Sequence, residues 1–136
     1  MKIGYTTGVF DMFHIGHLNI LRRAKEQCDY LIVGVSTDEL VQEYKHKKPV
    51  VPYEERAEII AAVRYVDQVV PQTDRDKIAA QEQLGFHVMF VGDDWKGSKL
   101  FTQVEQEFAK RGVDVVYFPY TTGTSSTLLS EKLSKL

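Results

Sequence analysis

Two histidines and an aspartate crowd one short run near the N-terminus, Gly8-Val9-Phe10-Asp11-Met12-Phe13-His14-Ile15-Gly16-His17. His14 and His17 stand three apart, where a first strand should hand over to a first helix. Open α/β sheets bind phosphate-bearing ligands at that junction. An imidazole titrates near neutrality, so a histidine can donate hydrogen bonds to phosphate charge that appears only during reaction. Gly16 removes the side chain between the pair, which predicts backbone N–H groups open to a phosphate at a helix N-terminus. Chemistry on a nucleotide phosphate follows. A zinc site is the weaker reading, because no third ligand stands at suitable spacing; His46 and His87 fall in a loop and at a strand start.

The elements around this run alternate. Ile3 to Thr6 reads as a strand, and Ile15 to about Gln27 as a helix with Ile15, Leu18, Leu21 and Ala24 on one face. Tyr30 to Val35 is a near-continuous apolar run, the pattern of a strand buried on both faces. Thr37 and Asp38 can cap a short helical turn. Tyr44 to Pro52 is basic and broken by two prolines, so a loop is expected. A helix is expected from Tyr53 to Arg64, with Ile59, Ile60 and Val63 inward. Asp67 to Pro71 reads as a strand, Asp74 to Leu84 as a helix closed by Gly85, and His87 to Val91 as a strand. Ser98 to Lys110 reads as a helix, Val113 to Phe118 as a fifth strand, and Thr124 to Leu133 as a last helix. The expected fold is one Rossmann-like α/β domain over residues 1–136. Its sheet has five parallel strands, with helices on both faces.

Composition narrows the class. The chain has 136 residues, 43% hydrophobic and 26% charged, as in a soluble globular domain. The net charge of −2 gives no global basic field, so no nucleic-acid partner is expected. Cys28 is the one cysteine, which fits a reducing cytoplasm. No apolar stretch approaches a membrane span, and the first residues run into a strand pattern without a signal-peptide core, so no membrane partner is expected.

Other candidates fall at strand ends. Lys45 and Lys47 sit in the basic loop, and read either as a solvated run or as phosphate contacts under a closing lid. Arg64 reads as an ion-pair partner of Asp67 or of another carboxylate at a helix end. Asp94 and Trp95 end the fourth strand, where the indole can pack under a loop. Thr121 to Thr127 offers hydroxyls and N–H groups for capping or for an anion.

Gly8-Val9-Phe10-Asp11 with His14-x-Gly16-His17 resembles the nucleotidyltransferase superfamily that carries an H-x-G-H signature, specifically its cytidylyltransferase branch. Arg64-Tyr65-Val66-Asp67, Gly92-Asp93-Asp94-Trp95-Lys96-Gly97 and Ser36-Thr37-Asp38-Glu39 are similar to segments of the bacterial glycerol-3-phosphate cytidylyltransferases. Pro119 to Thr127 resembles their R-T-E-G-I-S-T-T signature. Five motifs in order cover almost the whole chain.

The resemblance implies transfer of CMP from CTP to a small phosphomonoester, glycerol 3-phosphate by default, with release of pyrophosphate. It gives His14, His17, Lys45 and Lys47 to catalysis. It gives Gly8, Val9, Phe10, Asp11, Gly16, Asp94, Trp95, Tyr120, Thr121, Gly123, Ser125, Ser126 and Thr127 to the nucleotide. Lys45, Arg64 and Asp11 would meet the acceptor, and Asp11 with the triphosphate would hold a magnesium ion. It further implies a homodimer with Arg64 to Asp67 near the interface. Phosphocholine and phosphoethanolamine remain acceptors to test.

Tyr120 stands where those enzymes have an arginine, and a phenol cannot replace a guanidinium fork without losing charge. Thr122 replaces their glutamate and Val9 a common threonine. The heptose-phosphate adenylyltransferases share an aromatic residue at the first of these places and the Gly-Val-Phe-Asp opening. An adenylyltransferase using ATP and a sugar phosphate is therefore the alternative enzyme. A nucleotide-binding regulatory module without turnover is the alternative from another class.

Overall fold

A computed structural model describes residues 1–119. Strand β1 (Ile3–Gly8) leads into helix α1 (Ile15–Glu26), then β2 (Tyr30–Ser36), α2 (Asp38–Lys45) and α3 (Tyr53–Ala61). Strand β3 (Gln68–Gln72), helix α4 (Lys77–Leu84), β4 (Val88–Gly92), a single 3-10 turn (Asp93–Trp95), α5 (Lys99–Ala109) and β5 (Asp114–Phe118) follow. The strands form one sheet in the order β3-β2-β1-β4-β5. All four neighbouring pairs run parallel. The expected α/β architecture is therefore the one present. The helix expected from Thr124 to Leu133 lies outside the described residues.

Period-two alternation sends side chains to both faces of the sheet. In β2, Leu31, Val33 and Val35 enter a core with Leu21 and Ala24 of α1 and Ile60 of α3. Ile32 faces the other way, into a core with Phe101, Val104 and Phe108 of α5. Ile78 and Leu84 of α4 pack against that second core. Helices thus cover both faces, and β2 is buried on both, as its apolar run requires. The chain lays β1, β2 and β3 outward, then crosses back to place β4 beside β1. The carboxyl ends of β1 and β4 flank the place where strand order reverses, the usual ligand crevice of such sheets.

Several boundaries differ from the sequence reading. Thr37 caps a two-turn helix rather than a single turn: its hydroxyl accepts from the Leu40 N–H at 3.2 Å. Buried Leu40 and Val41 hold that helix down, so it continues through Tyr44 and Lys45, which the sequence placed in the loop. His46, in the left-handed region at φ 58°, ends it. Helix α3 stops at Ala61, and Ile59 is 44% exposed instead of inward. Ile59 and Ile60 are neighbours, so they point about 100° apart on a helix, and Ile60 takes the core. Helix α4 begins at Lys77, because Asp76 caps it through Ala79 N–H at 2.9 Å. Gly85 closes it at φ 67°, as read.

Candidate active site

Residues 9–14 join β1 to α1 in a tight path. Phe10 and Met12 both take left-handed backbone angles, at φ 53° and 50°. Such angles cost roughly 1–3 kcal/mol each for non-glycine residues and persist only where the surroundings enforce them. Phe10 supplies the enforcement, since its ring is buried in the core and lies edge-on to His17 at 5.4 Å. Gly8 admits that ring: a Cβ at position 8 would lie 3.0 Å from it.

His14 is the N-cap of α1, and its Nδ1 accepts from the Gly16 N–H at 3.0 Å. The His17 Nδ1 accepts from the His14 N–H at 3.2 Å, and the two rings stack 3.9 Å apart. Each neutral imidazole therefore carries its proton on Nε2. Burial lowers the His14 pKa. Burial, and then the neighbouring His14, lower that of His17 to about 4, against an opposing pull from Asp11. Both rings are neutral at pH 7 and present one N–H donor each. The sequence reading left the Gly16 N–H for a phosphate; here it is engaged by His14. The cap leaves the two ring Nε2–H groups as donors toward an anion.

Asp11 fastens the basic loop to this turn. Its carboxylate accepts from Val50 N–H at 2.8 Å and Val51 N–H at 2.9 Å. Arg56 fastens three further pieces and was missed by sequence reasoning. Its side chain is fully buried and donates to the carbonyls of Val51 (2.8 Å), Val9 (2.7 Å) and Ser36 (2.8 Å). It also pairs with Asp38 at 2.6 Å. The signal was present: Arg56 stands four before buried Ile60, a core-facing helical position occupied by a cation.

A cavity of about 520 Å³ opens at the carboxyl ends of the strands. His17, Asp11, Lys45, Lys47, Asp94 and Trp95 all line it, as do Gly8, Val9 and Phe10. Burial, followed by repulsion from Lys47, lowers the Lys45 pKa. The cavity thus draws together candidates from the ends of β1 and β4, from the end of α2 (Lys45) and from the loop after it (Lys47). His14 joins it through its stack on His17, and Gly16 lies buried in the first turn of α1.

Arg64 is not brought there. It is exposed, its guanidinium 5.8 Å from the Tyr65 ring centroid, ahead of the amino end of β3. The ion pair expected between Arg64 and Asp67 is replaced by Lys25 at 2.5 Å, while Asp67 also accepts from Leu31 N–H. Lys25 reaches Asp67 from α1, a proximity that only packing creates. Arg75 and Lys77 line the cavity and were not singled out. Their cue was a charged run, Thr73-Asp74-Arg75-Asp76-Lys77, directly after a strand. Tyr120, Thr121, Gly123, Ser125, Ser126 and Thr127 lie outside the described residues.

Among the described residues no cluster of three or more acidic, histidine or cysteine side chains is arranged to cage a metal. The cavity offers Asp11 and Asp94 as carboxylates, and Asp11 already serves two backbone N–H groups. That donor set suits a divalent cation carried in on triphosphate oxygens, with water and at most one carboxylate completing its shell.

The chain matches the Cytidylyltransferase-like family model over residues 5–132. It is 40% identical to the glycerol-3-phosphate cytidylyltransferase of Staphylococcus aureus, over 98% of this chain and 96% of that one. It is 38% identical to the enzyme of the same name from Bacillus subtilis, with both chains fully covered. Among solved structures, the lipopolysaccharide core biosynthesis protein of Thermoplasma volcanium superposes with a TM-score of 0.73 at 24% identity, covering 89% of this chain and 97% of that one. That likeness carries the fold.

Proposed function

We propose, for a chain that belongs to the cytidylyltransferase-like family, that it transfers CMP from CTP to glycerol 3-phosphate and releases pyrophosphate. The observation that carries the reading is the histidine pair, neutral and with both Nδ1 atoms engaged by backbone N–H groups. Two fixed Nε2–H donors beside a nucleotide-sized cavity suit charge that develops on a phosphate.

The acceptor's phosphate oxygen attacks the α-phosphorus of CTP. The bond from that phosphorus to the oxygen bridging to the β-phosphate breaks, and pyrophosphate leaves. No covalent enzyme intermediate and no proton transfer is needed, because the attacking phosphomonoester is already anionic. Positioning and charge stabilisation supply the catalysis. His14 and His17 donate to the α-phosphate and the departing pyrophosphate. Lys45 at the end of α2 and Lys47 in the loop that Asp11 pins neutralise the phosphates. Asp94 and Trp95, after β4, hold the nucleoside. Triphosphate oxygens, with Asp11 as the one protein carboxylate, would hold a magnesium ion, which would lower the charge on the phosphates.

The chain acts in the cytoplasm, where CTP is available, and no helix of the described residues is long and apolar enough to cross a membrane. We infer a homodimer through the Arg64 to Asp67 segment and the adjoining α3, whose Ile59 stands exposed. Pairing would also give Arg64 a route to phosphate that its place within one chain does not.

Pyrophosphate release, measured across CTP, ATP, GTP and UTP against phosphorylated alcohols and sugar phosphates, tests the reading. CTP with glycerol 3-phosphate is expected to turn over fastest. Faster turnover with ATP and a sugar phosphate replaces it with adenylyl transfer. Tight nucleotide binding without turnover on any acceptor replaces it with a regulatory module.

A further inference from the structure

Arg75 follows β3 and lines the same cavity as His17, Lys45 and Trp95. Its guanidinium carbon lies over the ring of Tyr44, in the last turn of α2, 4.8 Å from the centroid. Stacking occupies one face of the guanidinium and leaves its in-plane N–H donors to meet a ligand. Among the described residues, no acceptor bonds to those donors. The neighbouring Lys77 ammonium donates to the Arg75 carbonyl at 3.2 Å, which ties the backbone at this residue. Arg75 is thus an exposed cation at the wall of the cavity, its guanidinium resting on Tyr44 and its own carbonyl held by Lys77.

Strand order lays the cavity out along a line. Asp94 and Trp95 follow β4, the histidines follow β1, Lys45 and Lys47 lie at the end of α2 and just past it, after β2, and Arg75 follows β3 at the sheet edge. In-line transfer puts the α-phosphorus between the pyrophosphate and the acceptor's phosphate. With the nucleoside over β4 and the phosphates at the histidines and lysines, the acceptor's carbon body extends toward the β3 edge. We propose that Arg75 reads that far end, and selects phosphomonoesters with a hydroxylated or anionic head over those with a cationic one.

A stacked guanidinium donates to hydroxyl or carboxylate oxygens and repels an ammonium. The selection rests on the cytidylyl-transfer reading above, and it orders acceptors which that reading leaves equal: glycerol 3-phosphate ahead of phosphoethanolamine and phosphocholine.

Initial rates with CTP and these three acceptors, in wild type, R75A and R75Q, test it. Wild type is expected to favour glycerol 3-phosphate over phosphocholine by at least about 100-fold in kcat/KM. Both variants are expected to shrink that ratio at least about 10-fold, with the KM for CTP held within about twofold. An unchanged ratio, or equal losses on all acceptors, overturns the proposal. Calorimetric titration of the same acceptors into nucleotide-free protein separates it from the parent reading. Glycerol 3-phosphate binding that weakens in R75A while phosphocholine binding does not supports Arg75 even if no pyrophosphate is released. Identical isotherms for wild type and R75A overturn it.

Discussion

A histidine whose Nδ1 already accepts a hydrogen bond acts through Nε2 alone. At His14 and His17 the accepted bonds come from backbone N–H groups, so the tautomer is fixed by the helix cap itself. His17→Ala is expected to lower kcat by at least about 10²-fold with little change in the KM for CTP, because the donor is worth most in the transition state. Steady-state kinetics check this, and a change confined to KM would contradict the role. The same burial sets a pH dependence. The folded-state pKa of His17 is about 4, below the ordinary value of 6.5 that the unfolded chain restores. Between those values the unfolded chain binds the extra proton, so stability rises with pH. The contribution is complete above pH 6.5, and is lost as pH falls toward 4, on the order of 3 kcal/mol from the size of that shift. Urea unfolding at pH 7 and pH 4.5 is expected to show a smaller pH difference in His17→Asn than in wild type. Equal losses in both would mean that His17 titrates normally.

At the scale of elements, the site is a meeting of loops that Arg56 and Asp11 enforce. Arg56 on α3 bonds the turn after β1, the end of β2, the loop before α3 and, through Asp38, the first turn of α2. Asp38 in turn accepts from the Tyr53 N–H, which fixes where α3 starts. Asp38, its side chain 35% exposed, can turn to water when Arg56 is removed, but the carbonyls of Val9, Ser36 and Val51 lose their donor and a buried volume is emptied. Arg56→Ala is therefore expected to cost about 3–5 kcal/mol, read from chemical denaturation. A loss under about 1 kcal/mol would mean that the four segments hold together without it. Helix α2 makes the complementary point. Its capping threonine was legible, but its length was decided by Leu40 and Val41 finding a core that local sequence does not describe.

Across the whole molecule, the return of the chain from β3 to β4 puts residues distant in sequence around one cavity. Outside the cavity lining, exposed Ile59 on α3 stands close in sequence to the Arg64 to Asp67 segment. In the inferred dimer that side chain is buried by a second copy. Ile59→Lys is expected to convert a dimer to a monomer in sedimentation velocity while leaving the helical signal of the chain intact. A wild-type monomer, or a variant that remains dimeric, would move the interface elsewhere or remove it.

The sequence alone determined the chemistry and the layers. His14-x-Gly16-His17 after a strand is a local arrangement, and alternating apolar periods of two and 3.6 residues are local too, so both could be read directly. Gly8, Asp11, Asp94 and Trp95 were likewise legible, because each sits at a strand end where such sheets carry their ligands. Only the tertiary structure decided which of these ends meet. It placed Arg64 apart from the cavity, brought Arg75 and Lys77 into it, and buried Arg56 against Val9, a contact spanning 47 positions of chain. It also decided where the histidine protons reside, since that depends on which nitrogen the folded backbone has already engaged. The division has one physical cause. Periodicity fixes which face of an element is apolar, whereas the partners of a charge or a ring nitrogen are fixed by long-range packing, which exists only once the sheet has assembled.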